Sequence, residues 1–411
     1  MSDPSTDSPQ RRFAREVAEK LRDARHQALW AGGCVRDSLL GYEPKDYDVA
    51  TNALPDEVRE VFGRRRTIPV GAAFGVITVL GPKPAGQIEV ATFRSDVGYT
   101  DGRHPDSVRF TDAEHDASRR DFTINGLFYD PLKEEVIDYV GGQADLRRQT
   151  LRAIGDPDAR FNEDKLRMLR AVRFAATLGF EIEAGTRAAV ERHAQEIIVV
   201  SAERIGAELR RMLTHASRVQ ALCTLRDTGL LGHVLKEVAD LDAAEFAHRS
   251  HALARLDSPP VSLAVAAALP RHLRAPAGSQ LCRRLRFTNE EGKHADWLLD
   301  YYELASRADR AAWPQVQRML VHPWATDLLA LLEAEEGASD AVRFFVEKLA
   351  LPTEQLDPEW LATGDDLIAA GLRPGPHFGE ILEAVRDEQL EGRMSTRAEA
   401  IAFAKRRLLD Q

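Results

Sequence analysis

The sequence feature that most constrains this chain is a pair of aspartates, Asp46 and Asp48, separated by one residue. In a β-strand, side chains two residues apart point to the same side, so a strand here would bring both carboxylates to one place. Two neighbouring acids raise each other's pKa unless a cation lies between them. Because Mg²⁺ prefers carboxylate and phosphate oxygens, the pattern predicts a Mg²⁺ site with Asp46 and Asp48 as its ligands.

A glycine pair, Gly32-Gly33, precedes these acids and follows a short apolar segment, residues 28–31. We interpret the pair as a turn between a strand and a helix that opens near Val35. Glycine lets backbone N–H groups approach a phosphate closely. The alternative is a surface turn with scattered acids, since short motifs often arise by chance. The glycine pair upstream of the acids favours a metal and phosphate site over this alternative.

Composition leaves the function open but narrows the class of protein. The 411 residues allow two to four domains, and 44% hydrophobic with 29% charged residues is typical of a soluble globular protein. The net charge of −10 gives no global attraction for a polyanion, although RNA binding needs only a local basic surface. Three cysteines without a Cys-x-x-Cys motif argue against a disulfide framework and a cysteine zinc site. Without a signal-peptide core or an apolar run of membrane-spanning length, the cytoplasm is the predicted compartment.

The pattern of apolar residues predicts an α+β chain whose strands lie in its first part. Strands, helices and turns alternate to about residue 150, and helical periodicity follows to the C-terminus, so we place a domain boundary near Thr150. Residues 1–11 are predicted to be disordered, and a helix is predicted over 12–28. Predicted strands cover residues 76–80, 87–94 and 136–139.

Glu89, in the second of these strands, is the best candidate for a third carboxylate facing Asp46 and Asp48. The alternative is an ordinary solvent-facing acid on a strand. The next segment, Ser95 to Thr111, is rich in Gly, Asp, Ser and Pro. A turn-rich loop of this length is usually functional or disordered, and its position between two charged motifs favours a functional loop.

The run RRDFTIN, residues 119–125, combines groups suited to a nucleotide. Its two arginines offer planar donors for phosphate oxygens, while Asp121 and Asn125 can bond ribose hydroxyls. The alternative is a solvated face, because Arg-Arg-Asp runs are common on surfaces. The apolar residues that follow indicate that part of the run is buried.

A helix is predicted from Phe161 to Phe180, with Asn162 as its N-cap and Gly179 as its C-terminal stop. Asp164 and Arg167 are i,i+3 neighbours on one surface of this helix. Arginines recur every third residue at positions 167, 170 and 173. The alternative interpretation is an intrahelical ion pair beside an exposed basic stripe.

Five motifs in a fixed order carry a resemblance to a known family. They are Gly-Gly-x-Val-Arg-Asp (32–37), Asp-Tyr-Asp (46–48), IEVATFR (88–94), RRDFTIN (119–125) and Glu-Asp-x-x-Arg (163–167). This order resembles the class II tRNA nucleotidyltransferase / poly(A) polymerase family, and most closely its bacterial CCA-adding branch. The resemblance covers Ala31 to about Leu213 and returns in the tail at 365–367 and 371–379.

The resemblance implies a nucleotidyltransferase head with a mixed β-sheet and helices, followed by an all-α neck, body and tail. The implied bounds are 12–150 for the head, 151–213 for a neck with a base-reading helix, 214–350 for the body and 351–411 for an RNA-binding tail. Many relatives carry a His-Asp metal phosphohydrolase site in the body. No intact site of that kind is expected here, because the chain's His-Asp step, His115-Asp116, falls in the head.

The resemblance also implies roles for the residues above, with Asp46 and Asp48 as Mg²⁺ ligands. Asp164 and Arg167 match the pair that reads the incoming base. A carboxylate can accept a hydrogen bond from the amino group that cytosine and adenine share, whereas uracil and guanine present a carbonyl there. Arg170 and Arg173 match positions that touch nucleotide or RNA. The predicted nucleotide-binding residues are Gly32, Gly33, Arg36, Arg120, Asp121, Asn125, Asp164, Arg167, Arg170 and Arg173.

The implied reaction is template-independent addition or repair of the 3′-terminal CCA of tRNA from CTP and ATP, with contacts to the tRNA 3′ end and its acceptor/T arm. An A-adding enzyme, a poly(A) polymerase and a non-catalytic RNA-binding protein stay open as alternatives. The loop Tyr99–Phe110 argues against an enzyme that adds CC only, and Thr67–Leu80 resembles CCA-adding enzymes more than poly(A) polymerases. Basic clusters at 283–286 and 405–407 could meet RNA phosphates or be solvated faces.

Overall fold

The computed structural model describes residues 8–97, 107–375 and 377–409. The chain divides into two compact units, residues 1–240 and 241–411. Within the described residues, no helix combines the length and the apolar character needed to span a membrane.

The first unit holds the strands and about half of the helices. Its strands are β1 Ala28–Ala31, β2 Asp48–Thr51, β3 Thr67–Gly71, β4 Val76–Leu80, β5 Gln87–Thr92, β6 Arg94–Val97, β7 Ser107–Phe110, β8 Phe128–Asp130, β9 Glu135–Ile137, β10 Thr150–Leu151 and β11 Glu181–Ile182. Its helices are α1 Pro9–Asp23, α2 Gly33–Leu39, α3 Pro55–Phe62, α4 Ala113–Ser118, α5 Gly142–Arg147, α6 Pro157–Glu163, α7 Leu166–Leu178, α8 Ala184–His193, α9 Ala202–Leu213, α10 Arg218–Asp227, α11 Leu231–Val234 and α12 Lys236–Ala239.

Seven of these strands form one mixed sheet in the order β3-β4-β5-β2-β1-β8-β9. Strands β2 and β5 pair in parallel, and the other neighbouring strands of this sheet pair antiparallel. The mixed sheet in an α+β chain confirms the predicted fold class. Two small sheets, β6-β7 and β10-β11, lie outside it.

The alternation of side chains along β1 sets the two faces of the sheet. Leu29 and Ala31 point to one face, where they join a core with Phe93 and Phe128. Trp30 points to the other face, where the guanidinium of Arg11 from α1 lies 5.5 Å from its ring centroid. Helix α1 therefore covers one face of the sheet, and the other face carries the strand end where the site is built.

Helix α1 begins three residues before its predicted start and ends well before the predicted Ala28. The Ser8 side chain accepts a hydrogen bond from Arg11 N at 3.3 Å, and proline at the first helical position suits a helix start. Pro9 to Arg11 are therefore helical rather than disordered. The helix ends because Arg25 has a φ of +69°, after which the chain enters β1.

The strand predicted over 87–94 ends at Thr92, and a second strand begins at Arg94. Strand β5 pairs with β2 and β4, whereas β6 pairs with β7, so the change of partner divides the predicted strand in two. The segment Ser95–Thr111 therefore contains parts of two paired strands. Its central residues, 98–106, lie outside the described residues, so the predicted loop function stays a prediction.

The helix predicted from Phe161 to Phe180 is broken at Asp164, which has extended backbone angles of φ −148° and ψ 106°. The preceding helix, α6, is capped by Asp156, while the predicted cap Asn162 lies inside α6 and accepts a hydrogen bond from Lys165 Nζ at 2.6 Å. The stop at Gly179 is confirmed, since its φ of +70° favours glycine. Strands β10 and β11 were not predicted, because two-residue strands are too short to show alternation.

The secondary-structure elements of the second unit, among its described residues, are all helices. This unit has a core of its own around Leu367, Ile381 and Val385. The predicted domain bounds at 150, 213 and 350 stay predictions. The helices of this unit are α13 Ala243–Arg255, α14 Val261–Ala268, α15 Ala277–Arg284, α16 Asn289–Ala305, α17 Trp313–Leu320, α18 Ala325–Glu336, α19 Asp340–Leu349, α20 Thr353–Leu356, α21 Gly364–Ala369, α22 Phe378–Leu390 and α23 Arg397–Leu409.

Gly142→Ala is expected to destabilise the first unit. A Cβ at Gly142 would lie 2.8 Å from the carbonyl carbon of Thr123, a backbone atom that cannot move aside alone. The expected loss is about 1–3 kcal/mol of unfolding free energy, as for other overpacked sites, measured by calorimetric melting. Gly232→Ala is the matched control, because open space surrounds that position and its φ is not positive. Equal melting temperatures for the two variants would contradict this account of the packing.

Candidate active site

A cavity of about 520 Å³ lies in the first unit where β1 meets α2. Ten of the predicted metal- and nucleotide-binding residues line it, together with Arg119 of the RRDFTIN run and three residues with no predicted site role, Leu166, Phe174 and Arg204. The lining residues are Gly32, Gly33, Arg36, Asp48, Arg119, Arg120, Asp121, Asn125, Asp164, Leu166, Arg167, Arg170, Phe174 and Arg204. Because six arginines face three aspartates, the cavity has a surplus of positive charge that suits a polyphosphate.

Asp48 is the first residue of β2, and the register of the sheet fixes its neighbours. It lies across from Ala31 in the antiparallel pair and across from Glu89 in the parallel pair. Desolvation by the protein atoms packed around it raises the pKa of Asp48 to about 6, although part of the residue is exposed; the charge of Glu89 adds to the rise, Arg120 opposes it and Asp46 adds a smaller part. The predicted crowding of carboxylates is therefore present, and Glu89 contributes to it.

Asp46 precedes β2 rather than lying in the strand. Tyr47 is buried while Asp46 and Asp48 on either side of it are exposed, which is the alternation of an extended chain. Asp46 and Glu89 do not line the cavity.

The carboxylates around Asp48 suit a hard cation bound together with a substrate. Among the described residues, no group of three or more Asp, Glu, His or Cys side chains is arranged to hold a metal ion by itself. Small divalent cations commonly take one or two carboxylates and complete their shell with water and substrate phosphates. The raised pKa of Asp48 reflects desolvation and carboxylate charge that Arg120 does not balance, and such a donor set fits a divalent cation.

Gly32 stands at the N-terminus of α2 with a φ of +71°, a conformation that favours glycine. Its N–H donates to Leu127 O at 3.0 Å, which fixes the turn. A Cβ at this position would lie 2.9 Å from Nη1 of Arg120. The absence of a side chain therefore lets a guanidinium lie against the start of α2.

Arg36 is buried in the cavity wall and is held on three sides. Its Nη1 donates to Asn125 Oδ1 at 2.6 Å, and its Nε donates to Asp37 Oδ1 at 2.8 Å. Its guanidinium also lies 5.1 Å from the ring centroid of Phe174. This cation is thus oriented before any ligand enters.

Arg119 and Arg120 share one buried carboxylate, Asp116 of α4. Burial raises the pKa of Asp116, but Arg120 and Arg119 outweigh that effect and hold it below its usual value. Arg120 Nη2 donates to Asp116 Oδ2 at 3.0 Å, and its Nη1 donates to Asn125 O at 3.3 Å. Asp116 therefore positions the two arginines of the RRDFTIN run, a role that sequence analysis missed.

The carboxylate of Asp121 is buried, and both of its oxygens accept hydrogen bonds from other protein groups. Its Oδ2 accepts from Nε and Nη2 of Arg170 at 2.8 and 2.7 Å, and its Oδ1 accepts from Asn125 Nδ2 at 3.0 Å. Burial opposes ionisation, yet Arg170 and Asn125 hold the pKa of Asp121 below its usual value. The predicted ribose contact stays a prediction.

Asp164 and Arg167 both line the cavity, but they do not form the ion pair of the alternative interpretation. Asp164 accepts from Nη1 and Nη2 of Arg204 at 3.1 and 2.7 Å, a bidentate pair with a residue of α9. Arg167 is buried and donates to Glu163 Oε2 at 2.5 Å and to the carbonyl oxygen of Arg119 at 3.2 Å. The break between α6 and α7 separates the two side chains.

Arg173 does not line the cavity, in contrast to the other predicted arginines. Its Nε donates to the buried Glu208 of α9 at 2.5 Å, and its guanidinium lies 4.0 Å from the Phe174 ring centroid.

Phe174 and Arg204 were missed, because neither stands in a run of polar residues that points to a ligand.

Three models of known protein families match successive stretches of the chain. The poly(A) polymerase head domain matches residues 28–152, and a probable RNA- and SrmB-binding site of polymerase A matches residues 179–241. A second domain of tRNA nucleotidyltransferases matches residues 267–404. Together these three matches follow the order of head and helical regions.

Two bacterial relatives are similar over nearly the full length. The CCA-adding enzyme of Levilactobacillus brevis is 33% identical, over 95% of this chain and 96% of its own. The CCA-adding enzyme of Limosilactobacillus fermentum is 32% identical, over 96% of each chain. Among solved structures, the Bacillus stearothermophilus CCA-adding enzyme in complex with CTP has a TM-score of 0.76 and 27% identity, covering 100% of this chain and 99% of that one. The present chain belongs to the CCA-adding enzymes, a family of nucleotidyltransferases.

Proposed function

We propose that this chain adds or repairs the 3′-terminal CCA of tRNA without a nucleic-acid template, using CTP and ATP with Mg²⁺. One observation carries the proposal: a single cavity joins a carboxylate of raised pKa, a surplus of arginines and the Asp164–Arg167 region. The names of the full-length relatives and the CTP complex of the Bacillus enzyme support it. Two expectations belong to the same proposal: an RNA-binding tail over 351–411 and a cytoplasmic location.

Asp46 and Asp48 are the residues that would hold Mg²⁺, with Glu89 beside Asp48. The ion would favour ionisation of the RNA 3′-hydroxyl and neutralise charge on the triphosphate. Because protons compete with metal for these carboxylates, Asp48 must be deprotonated to take part.

The cationic wall receives the triphosphate. Arg36 and Arg120 are already held by protein acceptors, so they keep their orientation without losing side-chain freedom on binding. Planar guanidiniums suit phosphate oxygens through paired N–H donors. At the same end of the cavity, the first turn of α2 after Gly32 can add backbone donors, whereas the Gly32 N–H itself is used by Leu127 O.

Asp164 and Arg167 select the base. Arg204 and the backbone N–H of Leu166 hold the Asp164 carboxylate, while Glu163 holds the Arg167 guanidinium. A fixed carboxylate accepts a hydrogen bond from the amino group of cytosine or adenine, but it faces a lone pair in uracil or guanine. The unsatisfied acceptor penalises the wrong base.

The product of the reaction tests the proposal directly. Three tRNA transcripts lacking CCA, CA or A are incubated with single labelled nucleotides, and the products are sized. Completion of all three transcripts with CTP and ATP is expected. Extension of only the last transcript would show A addition alone, and a long tract of A would show a poly(A) polymerase.

Asp48→Ala is expected to abolish nucleotide addition while leaving tRNA affinity within about twofold of wild type. Removal of a metal ligand reduces transition-state stabilisation, whereas RNA affinity comes mainly from distributed basic contacts. Asp56→Ala is the matched control, because its side chain is 92% exposed on α3. Normal turnover by Asp48→Ala would rule out this metal site.

Mg²⁺ affinity is expected to rise with pH through about 6, the raised pKa of Asp48, and to level off above it. The sign follows because a raised carboxyl pKa keeps the proton on Asp48 up to that pH, and the proton excludes the ion. Glu89→Gln removes a charge that raises this pKa, so the midpoint should move to lower pH. Calorimetric Mg²⁺ titrations from about pH 5 to about pH 8 measure both midpoints. A wild-type affinity that is already level across this range, as the ordinary aspartate pKa of 3.8 would give, or a midpoint unaffected by Glu89→Gln, contradicts the prediction.

Asp164→Ala is expected to raise UTP incorporation relative to CTP by a factor on the order of 10² to 10⁴, because the penalty against a carbonyl disappears. Single-nucleotide incorporation by variant and wild type, using all four nucleotides, measures the ratio. Asp158→Ala is the matched control, since that acid of α6 pairs with Arg192 and His193 outside the cavity. A variant that still accepts only C and A would exclude base reading by Asp164.

A further inference from the structure

A second polar cavity lies in the second unit, between the last turn of α15 and the first turn of α16. Its volume is about 250 Å³. It is lined by Ser279, Arg283, Thr288, Asn289, Gly292 and Lys293. No aromatic or aliphatic side chain is among them, so this cavity offers nothing on which a nucleobase could stack.

Two glycines set the close approach of the helices that form this cavity. A Cβ at Gly278 of α15 would lie 2.7 Å from Ala295 Cβ, and a Cβ at Gly292 of α16 would lie 3.0 Å from Ser279 Cα. The backbone of α15 is also tied to α16, because Ser279 N donates to Asp296 Oδ1 at 3.1 Å. The cavity is therefore a fixed consequence of how the two helices pack.

The two cations of this cavity, Arg283 and Lys293, are exposed and have no ion pair or side-chain hydrogen bond among the described residues. Of the acids nearest to them along α16, Asp296 and Glu291 are engaged, while Glu290 is exposed beside the cavity, so the two cations outnumber the one acid without a described partner. Asp296 accepts from the Ser279 backbone, and Glu291 accepts from the backbone N–H of Thr288 at 2.8 Å. The positive charge at the cavity is thus left for a ligand.

The sequence around the cavity is locally basic in an acidic chain. Residues 271–289 contain five arginines and no aspartate or glutamate, although the whole chain has a net charge of −10. Two of these arginines are used internally, since Arg271 pairs with Glu335 and Arg274 pairs with Glu303. Arg283 lies on the part of the segment that faces outward. A local basic surface of this kind is the electrostatic signature of a polyanion partner.

We propose that this cavity is a phosphate-binding pocket that takes a backbone phosphate of the tRNA substrate, with Arg283 and Lys293 as its cations. The inference rests on the proposed function, because that function supplies the RNA. The volume is below that of pockets which enclose whole small-molecule ligands, and the lining has donors but no stacking surface. A phosphodiester held by its charged oxygens fits both properties, whereas a free nucleotide would leave its base without contacts.

The test compares tRNA affinity between the wild-type chain and the double variant Arg283→Ala/Lys293→Ala, as a function of salt. Hydrogen bonds to charged groups are worth about 1.5–3 kcal/mol, so tRNA binding should weaken by roughly tenfold or more. Loss of one phosphate contact should also reduce the slope of log affinity against log salt by about one. CTP affinity, measured without tRNA, should not change.

The matched control is Arg307→Ala/Arg310→Ala, which removes the same charge from exposed positions of the same unit. The charge-conserving variant Arg283→Lys/Lys293→Arg should retain most of the affinity and reports on folding. Unchanged affinity and slope in the alanine variant overturn the proposal, as does an equal loss in the control. Tight binding of inorganic phosphate with unaltered tRNA affinity would also overturn it, because the pocket would then serve a free anion. Failure of wild type to extend tRNA would contradict the proposed function alone, since this binding assay needs no turnover.

Discussion

The ion pair between the buried Asp121 and the partly exposed Arg170 holds the candidate active-site cavity together. One wall comes from the segment after α4, and the other comes from α7, so this pair bridges residues far apart in the chain. Removing Arg170 would leave the buried Asp121 carboxylate without its charged partner, at a cost of about 1–3 kcal/mol, which exceeds the few tenths that a helix-surface pair contributes. Two further hydrogen bonds connect the end of α4 and the segment after it with α6 and α7. Arg167 donates to Arg119 O, and Arg160 donates to Ser118 O. The RRDFTIN run and the Asp164–Arg167 region are therefore fixed relative to each other.

Much of the fold and of the site could be predicted from local patterns. The glycine pair, the spaced acids at 46 and 48 and the RRDFTIN run each depend on nearby residues, and most of their members line one cavity. The mixed sheet follows from strand patterns of ordinary length, with β4 found at its predicted bounds. Glu89 needed one further step, because strand alternation gives its face but not the parallel register that places it across from Asp48.

Most of the features that sequence analysis missed depend on contacts between residues that are far apart in the sequence. Arg204 reaches Asp164 from 40 residues away and belongs to an ordinary amphipathic helix, so no local signal marks it. The break at Asp164 was missed because apolar periodicity continues through it, although an extended residue there ends α6. Asp116 was noted only as part of a His-Asp step. Its buried carboxylate forms ion pairs with Arg119 and Arg120, which follow α4.

Phe174 packs against several charged side chains of the cavity wall. Its ring supports three guanidiniums, those of Arg36, Arg170 and Arg173, with centroid distances of 5.1, 5.3 and 4.0 Å. Cations that pack on one aromatic ring do not respond independently to substitution, because residues in contact show interaction energies of about 0.5–3 kcal/mol. A lineage that changes one of these arginines alone would meet a fitness barrier set by the other two. We therefore expect related sequences that differ at one of these four positions to differ at the others as well.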